Sequence, residues 1–222
     1  YPEDTRIAME SRSLRDAGYE VTVICPTGLS RRWHEVVDGV RVYRYPKTWE
    51  VGGFIGYVCE YSYSLSMAFV LPLWVAVRHG FDVLHSRVPP DVYVFLAWFY
   101  KLFGKRYVAD LQDSSPDIYQ AQRGWQATRL VHATLCWLER AACRSADGLI
   151  TINDTYQQML LERSGVQAER CCIVRNVPNP RFFDAIEPLS SLRALQRPIV
   201  GYMGMIGVQD HVELLLHTLH SL

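Results

Sequence analysis

Hydrophobic residues in this chain recur with a helical period, then with the period of a strand, and the switch repeats at short intervals. Residues 6–17 carry Ile7, Met9, Leu14 and Ala17 at helical spacing and stop at Gly18, and residues 19–25 read as a strand closed by Pro26. After a joint at Gly52, Gly53 and Gly56, a long apolar helix is expected as far as Arg78, and Gly80 releases the chain into a strand over 81–85. Pro89, Pro90 and Asp91 open a helix through Tyr100, with Asp91 placed to suit the helix dipole. Residues 105–110 form the next strand and residues 129–144 a helix; residues 148–152 are again a strand. Asp154 caps a helix through Arg163 that Gly165 ends, and residues 171–175 are the last strand. Strands separated by helical crossovers pair in parallel, so the expected class is α/β with a doubly wound parallel sheet.

Two stretches depart from this alternation. Residues 35–37 and 40–45 flank Asp38-Gly39, a dipeptide suited to the positive φ angles of a tight hairpin turn, and should decorate one edge of the sheet. Near the other end, residues 198–203 read as a buried strand, Gly204 and Gly207 as a turn, and the residues after it as an apolar-periodic helix. A glycine turn between strand and helix lets phosphate approach backbone N–H groups at a helix N-terminus. The spacing of Gly201, Gly204 and Gly207 is nevertheless G-x-x-G-x-x-G, which disfavours a dinucleotide-dependent oxidoreductase. Pro178, Pro180 and Pro188 punctuate an aperiodic segment. The expected organisation is a first domain over 1–187, a linker over 188–197 and the start of a second α/β domain over 198–222.

Lys plus Arg, 23, balance Asp plus Glu, 23, so no overall field points to nucleic acid or an acidic surface. The six cysteines, at 25, 59, 136, 143, 171 and 172, have no metal-ligand spacing and read as small, mostly buried thiols of a reducing compartment. The uncharged stretch 61–77 is shorter than the ~20 apolar residues a spanning helix needs, and it contains Pro72. A buried or interfacial helix is the expectation there, and the cytoplasm is the expected location.

In an open parallel sheet, ligands bind beyond the C-terminal ends of the strands. That rule selects Ser86, Arg87 and Pro89-Pro90-Asp91, then Asp110, Gln112, Asp113, Ser114 and Ser115, then Asn153 and Asp154, and finally Arg175 and Asn176. Residues 110–119 hold three carboxylates, an amide, two hydroxyls and a phenol, suited to a polyhydroxylated ligand, and Asp110 or Asp113 could act as a base. The same residues also suit a loop whose Asp and Ser side chains satisfy their own backbone. Arg87 and Arg175 could face phosphate or pair with carboxylates. His85 reads as a half-buried imidazole, and Glu213, His217 and His220 as a solvated helix face rather than a metal patch.

Six stretches, 6–26, 81–91, 107–119, 138–153, 173–183 and 200–216, together resemble the family 4 glycosyltransferases of the GT-B type, in particular the bacterial kind associated with surface polysaccharide assembly. The resemblance implies two Rossmann-like domains, the first binding the acceptor and the second, truncated here, binding the nucleotide-sugar. It implies a retaining transfer with no metal and no other cofactor, the nucleotide-sugar being a substrate. The acceptor side would comprise Asp110 and Asp113 as catalytic candidates with Ser86, Arg87, Gln112, Ser114, Tyr119 and Asn153. The donor diphosphate would face Gly204, Met205, Ile206, Gly207 and Arg175.

Gln112 stands where many relatives carry a histidine, and His211 where they often carry glycine. The family's first strand is expected before Tyr1 and most of its donor domain after Leu222, so residues 1–222 alone are expected not to transfer sugar. A lipid-linked or saccharide acceptor is expected, and an inner-membrane contact through the aromatic helix around residues 57–74. The alternative is a non-catalytic sugar- or nucleotide-binding module of the same fold.

Overall fold

The computed structural model describes residues 1–47, 53–124, 127–177, 187, 189–196, 198–204 and 211–221. Helix α1 (Thr5–Asp16) leads to strand β1 (Thr22–Pro26), then to the hairpin β2 (His34–Val37) and β3 (Val40–Tyr45). The first strand starts later than expected because the Tyr19 N–H bonds back to the Leu14 carbonyl at 3.1 Å, keeping that residue in the helix terminus. Asp38 (φ 51°) and Gly39 (φ 77°) both take the left-handed backbone that a two-residue hairpin turn requires. Strand β3 is not an edge: it pairs in parallel with β1 and antiparallel with β2, leaving β2 outermost. Val40 and Val42 are therefore fully buried, against Tyr1 and Ala8, with Ile7, Val21, Val23, Cys25 and Val37 around them. Buried Arg44 in the same strand is carried by Glu35 Oε1 at 2.6 Å and the Tyr1 carbonyl at 2.7 Å, as a charge removed from water must be.

Helix α2 (Gly53–Arg78) is followed by β4 (Val83–Val88), α3 (Tyr93–Lys101), β5 (Arg106–Leu111), α4 (Ser115–Arg123), α5 (Arg129–Ser145), β6 (Gly148–Thr151), α6 (Asp154–Ser164) and β7 (Cys171–Ile173). Strands β4, β5, β6 and β7 form a parallel sheet in that order, flanked by helices, which bears out the α/β class. Helix α4 forms where the sequence suggests a loop, and its start is marked by Ser114, by Pro116 in the first turn and by Asp117 behind it. The cap of α6 is Asn153 rather than Asp154: Asn153 is extended and its side-chain oxygen accepts from the Tyr156 N–H at 2.8 Å.

Residues 198–203 form no strand; no ladder partner stands beside them among the described residues, and Ile199, Val200 and Met203 are exposed. A short helix α7 (Ser190–Arg193) falls inside the expected linker, and α8 (Val212–His220) matches the helix expected near the end. All six cysteines are free, and Cys59 and Cys172 are exposed rather than buried. Among the described residues no helix is long and apolar enough to cross a membrane.

Proximity divides the chain into two units. One comprises residues 1–86, 92–110 and 145–149, the other residues 87–91, 111–144 and 150–222. In the first, Val94, Leu96, Ala97 and Tyr100 of α3 are buried, and Tyr107 and Ala109 are buried in β5. In the second, Leu111, Leu138, Ala142, Cys143 and Leu160 are buried.

Candidate functional site

Asp4 starts the construction of a polar cluster in the first unit. Its side chain accepts from the N–H groups of Arg6 and Ile7, each at 3.1 Å, and so fixes the first turn of α1. Arg6 and Glu10 then lie one helical turn apart on one face, with Arg6 Nε 2.9 Å from Glu10 Oε1. The other arm of the guanidinium reaches β5, where Arg6 Nη2 donates to Asp110 Oδ1 at 3.0 Å. Successive residues of a strand alternate between its faces, and Asp110 and His85, on adjacent strands, both join this cluster. Ser86 and Tyr107, of opposite parity, pair with each other through their hydroxyls at 2.8 Å, and both are buried.

Potential ligand atoms of Glu10, His85 and Asp110 all lie within 4.8 Å of one another. Two carboxylates and an imidazole could hold a divalent cation. The Arg6 guanidinium, however, already bridges both carboxylates, and a metal ion would have to displace it. His85 is accessible as a whole residue, yet protein crowds it closely enough that desolvation depresses its pKa; Arg6 adds to that effect and Asp110 opposes it. The imidazole is therefore held neutral below the pH at which a free histidine would protonate, as a hydrogen-bond acceptor for a hydroxyl requires.

The second unit contains its own network around the N-terminus of α4. Ser114 donates to Glu139 Oε2 at 2.9 Å, and its neighbour Ser115 donates to Asp91 Oδ2. Arg163 on α6 forms a two-pronged pair with Asp117, at 2.9 and 3.0 Å, and reaches the Ser114 hydroxyl at 3.2 Å. Burial raises the pKa of Asp91 and Glu139, whereas the Arg163 guanidinium lowers that of Asp117.

The residues selected from the sequence divide between these settings. Asp110 is buried and bound to Arg6, and Ser86 is tied to Tyr107. Gln112 is buried, with its N–H on the Val88 carbonyl at 3.0 Å, whereas Asp113 and Arg87 are exposed. The Ser114 hydroxyl has its proton on Glu139, the Tyr119 hydroxyl accepts from the Thr128 N–H at 3.0 Å, and Asn153 caps α6. Arg175 pairs with Asp154 at 2.5 Å, and Gly204 is exposed. Met205, Ile206 and Gly207 lie outside the described residues. Sequence reasoning set aside His85 and did not single out Arg6 or Glu10; the place of His85 and Asp110 on consecutive strands of one sheet was the signal that could have joined them.

A family model for the glycosyl transferase 4-like domain matches residues 4–177, an interval that contains both networks. The chain belongs to the glycosyl transferase 4-like family. Among the curated proteins nothing matches the chain. As a glycosyltransferase domain it has a sugar donor and an acceptor as substrates, and residues 204–207 lie beyond the interval matched by the family.

Proposed function

We propose that this domain is the acceptor-side half of a retaining glycosyltransferase that moves a sugar from a nucleotide-sugar to a lipid-linked or saccharide acceptor in surface polysaccharide assembly. The observation that carries the reading is the placement of His85 beside Asp110 in a domain of this family. A neutral imidazole can accept a hydrogen bond from the acceptor hydroxyl and orient it for attack on the anomeric carbon. Asp110, fixed by Arg6, orients the imidazole and cannot drift toward solvent. Asp113, exposed in the second unit, is assigned in this reading to binding an acceptor hydroxyl.

On the donor side, residues 204–207 and Arg175 would face the diphosphate, with Arg175 exchanging Asp154 for phosphate oxygens. Charge developing on the leaving group would be met by backbone N–H groups and guanidinium rather than by a resident metal. Exposed apolar residues on α2 (Leu73 and Trp74), on α3 (Trp98) and just after α3 (Phe103) suit a peripheral contact on the cytoplasmic face of the inner membrane.

Saturation-transfer NMR on residues 1–222 with p-nitrophenyl hexosides tests the acceptor assignment. Binding that weakens at least tenfold in H85A and D113N is expected; hexosides that bind both variants as well as the unsubstituted protein overturn it. A second reading, a non-catalytic binding module of the same fold, is favoured by Gln112, whose buried amide cannot shuttle a proton.

A further inference from the structure

An N-cap serine ordinarily turns its hydroxyl oxygen onto the N–H groups of its own helix. Ser114 occupies that position in α4 with an extended backbone, yet its side chain makes no capping bond. Its hydroxyl donates instead to Glu139 on α5 at 2.9 Å and accepts from Arg163 on α6 at 3.2 Å. The next residue, Ser115, donates to Asp91, which lies between β4 and α3. Two consecutive hydroxyls are thus tied to two carboxyls, from two different elements, that are only 4% and 2% exposed.

The consequence is visible in the segment just before the ties. Gln112 is buried and anchored through its N–H to the Val88 carbonyl; Ser114 and Pro116 are buried, and Ser115 is half-buried. Between the two anchors Asp113 alone is exposed among residues 109 to 117. A loop tip is ordinarily the mobile part of a connection. Here the backbone on either side of Asp113 is fixed within two residues, so its carboxylate is presented to solvent from a rigid base.

We propose that Asp91 and Glu139 are positioning residues for the acceptor: acting through Ser115 and Ser114, they hold the Gln112–Asp113 turn so that Asp113 meets an acceptor hydroxyl. The proposal rests on the acceptor-side reading given above. Neither carboxyl touches the ligand. Each fixes a hydroxyl that fixes the turn, and a carboxylate misplaced by an ångström loses much of its orienting effect. An amide oxygen accepts a hydroxyl proton as a carboxyl does, so glutamine at 139 keeps the tie and alanine removes it.

The test compares E139A, E139Q and the double variant S114A/S115A in the protein carrying this domain and its donor-binding half. Hydrogen exchange of peptides spanning residues 111–118 should quicken at least tenfold in E139A and S114A/S115A and return to the unsubstituted rate in E139Q. Transfer to p-nitrophenyl hexosides should show acceptor KM raised at least tenfold in the same two variants, with kcat and donor KM within about threefold. Should E139A fail to fold, the serine variant decides alone, because it removes two exchangeable contacts and no core volume. Unchanged exchange overturns the tie, and faster exchange with an unchanged acceptor KM overturns the positioning role. Absence of transfer by the unsubstituted protein overturns instead the functional reading on which the proposal rests, while the exchange measurement still decides the tie.

Discussion

His85 and Asp110 stand on neighbouring strands with potential ligand atoms within 4.8 Å, and both belong to a cluster that α1 completes with Arg6 and Glu10. Desolvation and the nearby guanidinium depress the His85 pKa against the pull of Asp110. In the proposed role the imidazole must be neutral, so transfer should persist below the ordinary histidine value of about 6.5 and fall only at lower pH. Substituting Arg6 by Met should move this limb upward, because a cation that disfavours protonation is removed. His85→Ala should lower transfer by about 10²- to 10⁴-fold, the usual contribution of a positioned acid–base group. A pH profile of kcat/KM for the two variants measures both effects.

Arg6 should matter for stability independently of any chemistry. Its side chain is 9% exposed and that of Asp110 3%, so removing the guanidinium leaves a buried carboxylate without its counter-ion. Breaking a buried pair in this way costs about 3–5 kcal/mol. Arg6→Met should unfold at correspondingly lower urea, and the double variant R6M/D110L should recover much of the loss, as measured by equilibrium denaturation.

The carboxyls of the second network give stability a pH dependence with a definite sign. Asp91 and Glu139 have raised pKa values, so the folded protein holds protons that the unfolded chain releases. Stability from this source is present below the unfolded values of about 4 and declines as pH rises through the raised folded values. Asp117 acts oppositely: its lowered pKa adds stability above about 4 that is lost in more acidic solution. Between about pH 4.5 and 7 the Asp117 contribution is constant, and D91N/E139Q should therefore show a flatter dependence of Tm on pH than the unsubstituted protein. Thermal unfolding across that interval is the check.

Apolar exposure on α2 and just after α3 predicts adhesion to lipid. Trp74 is 51% exposed and Phe103 64%, and among the described residues no helix is long and apolar enough to cross a membrane. Flotation with liposomes containing anionic phospholipid should recover the unsubstituted protein in the upper fraction and lose W74A/F103A from it. Equal recovery of the two removes the membrane contact from the account.

Local chemistry explains which parts of this architecture could be read before folding. The β2–β3 hairpin was legible because Asp38-Gly39 satisfies a backbone demand within two residues, and the end of α6 because Gly165 supplies a left-handed φ of 69°. The cap of that helix was displaced by one residue because Asn153 and Asp154 have equivalent side-chain oxygens, and only the backbone decides which lies outside the helix. Residues 198–203 have the composition of a strand, but a strand exists only against a partner, and none stands beside them among the described residues. Of the polar residues of 110–119, Asp110 lies in β5 and the others follow it; their division into a paired Asp110, an exposed Asp113 and tied serines depends on Arg6, Glu139 and Asp91, which come from elsewhere in the chain. His85 escaped for the same reason, since its partners are brought to it by strand register.

Sugar transfer itself is the most direct test. The protein carrying this domain and its donor-binding half should consume a nucleotide-sugar from a panel of UDP- and GDP-hexoses in the presence of a saccharide acceptor. The product should retain the anomeric configuration of the donor, and H85A should lower its rate of formation by at least about 10²-fold. A product of inverted configuration, or transfer that H85A and D113N leave unchanged, would contradict the account.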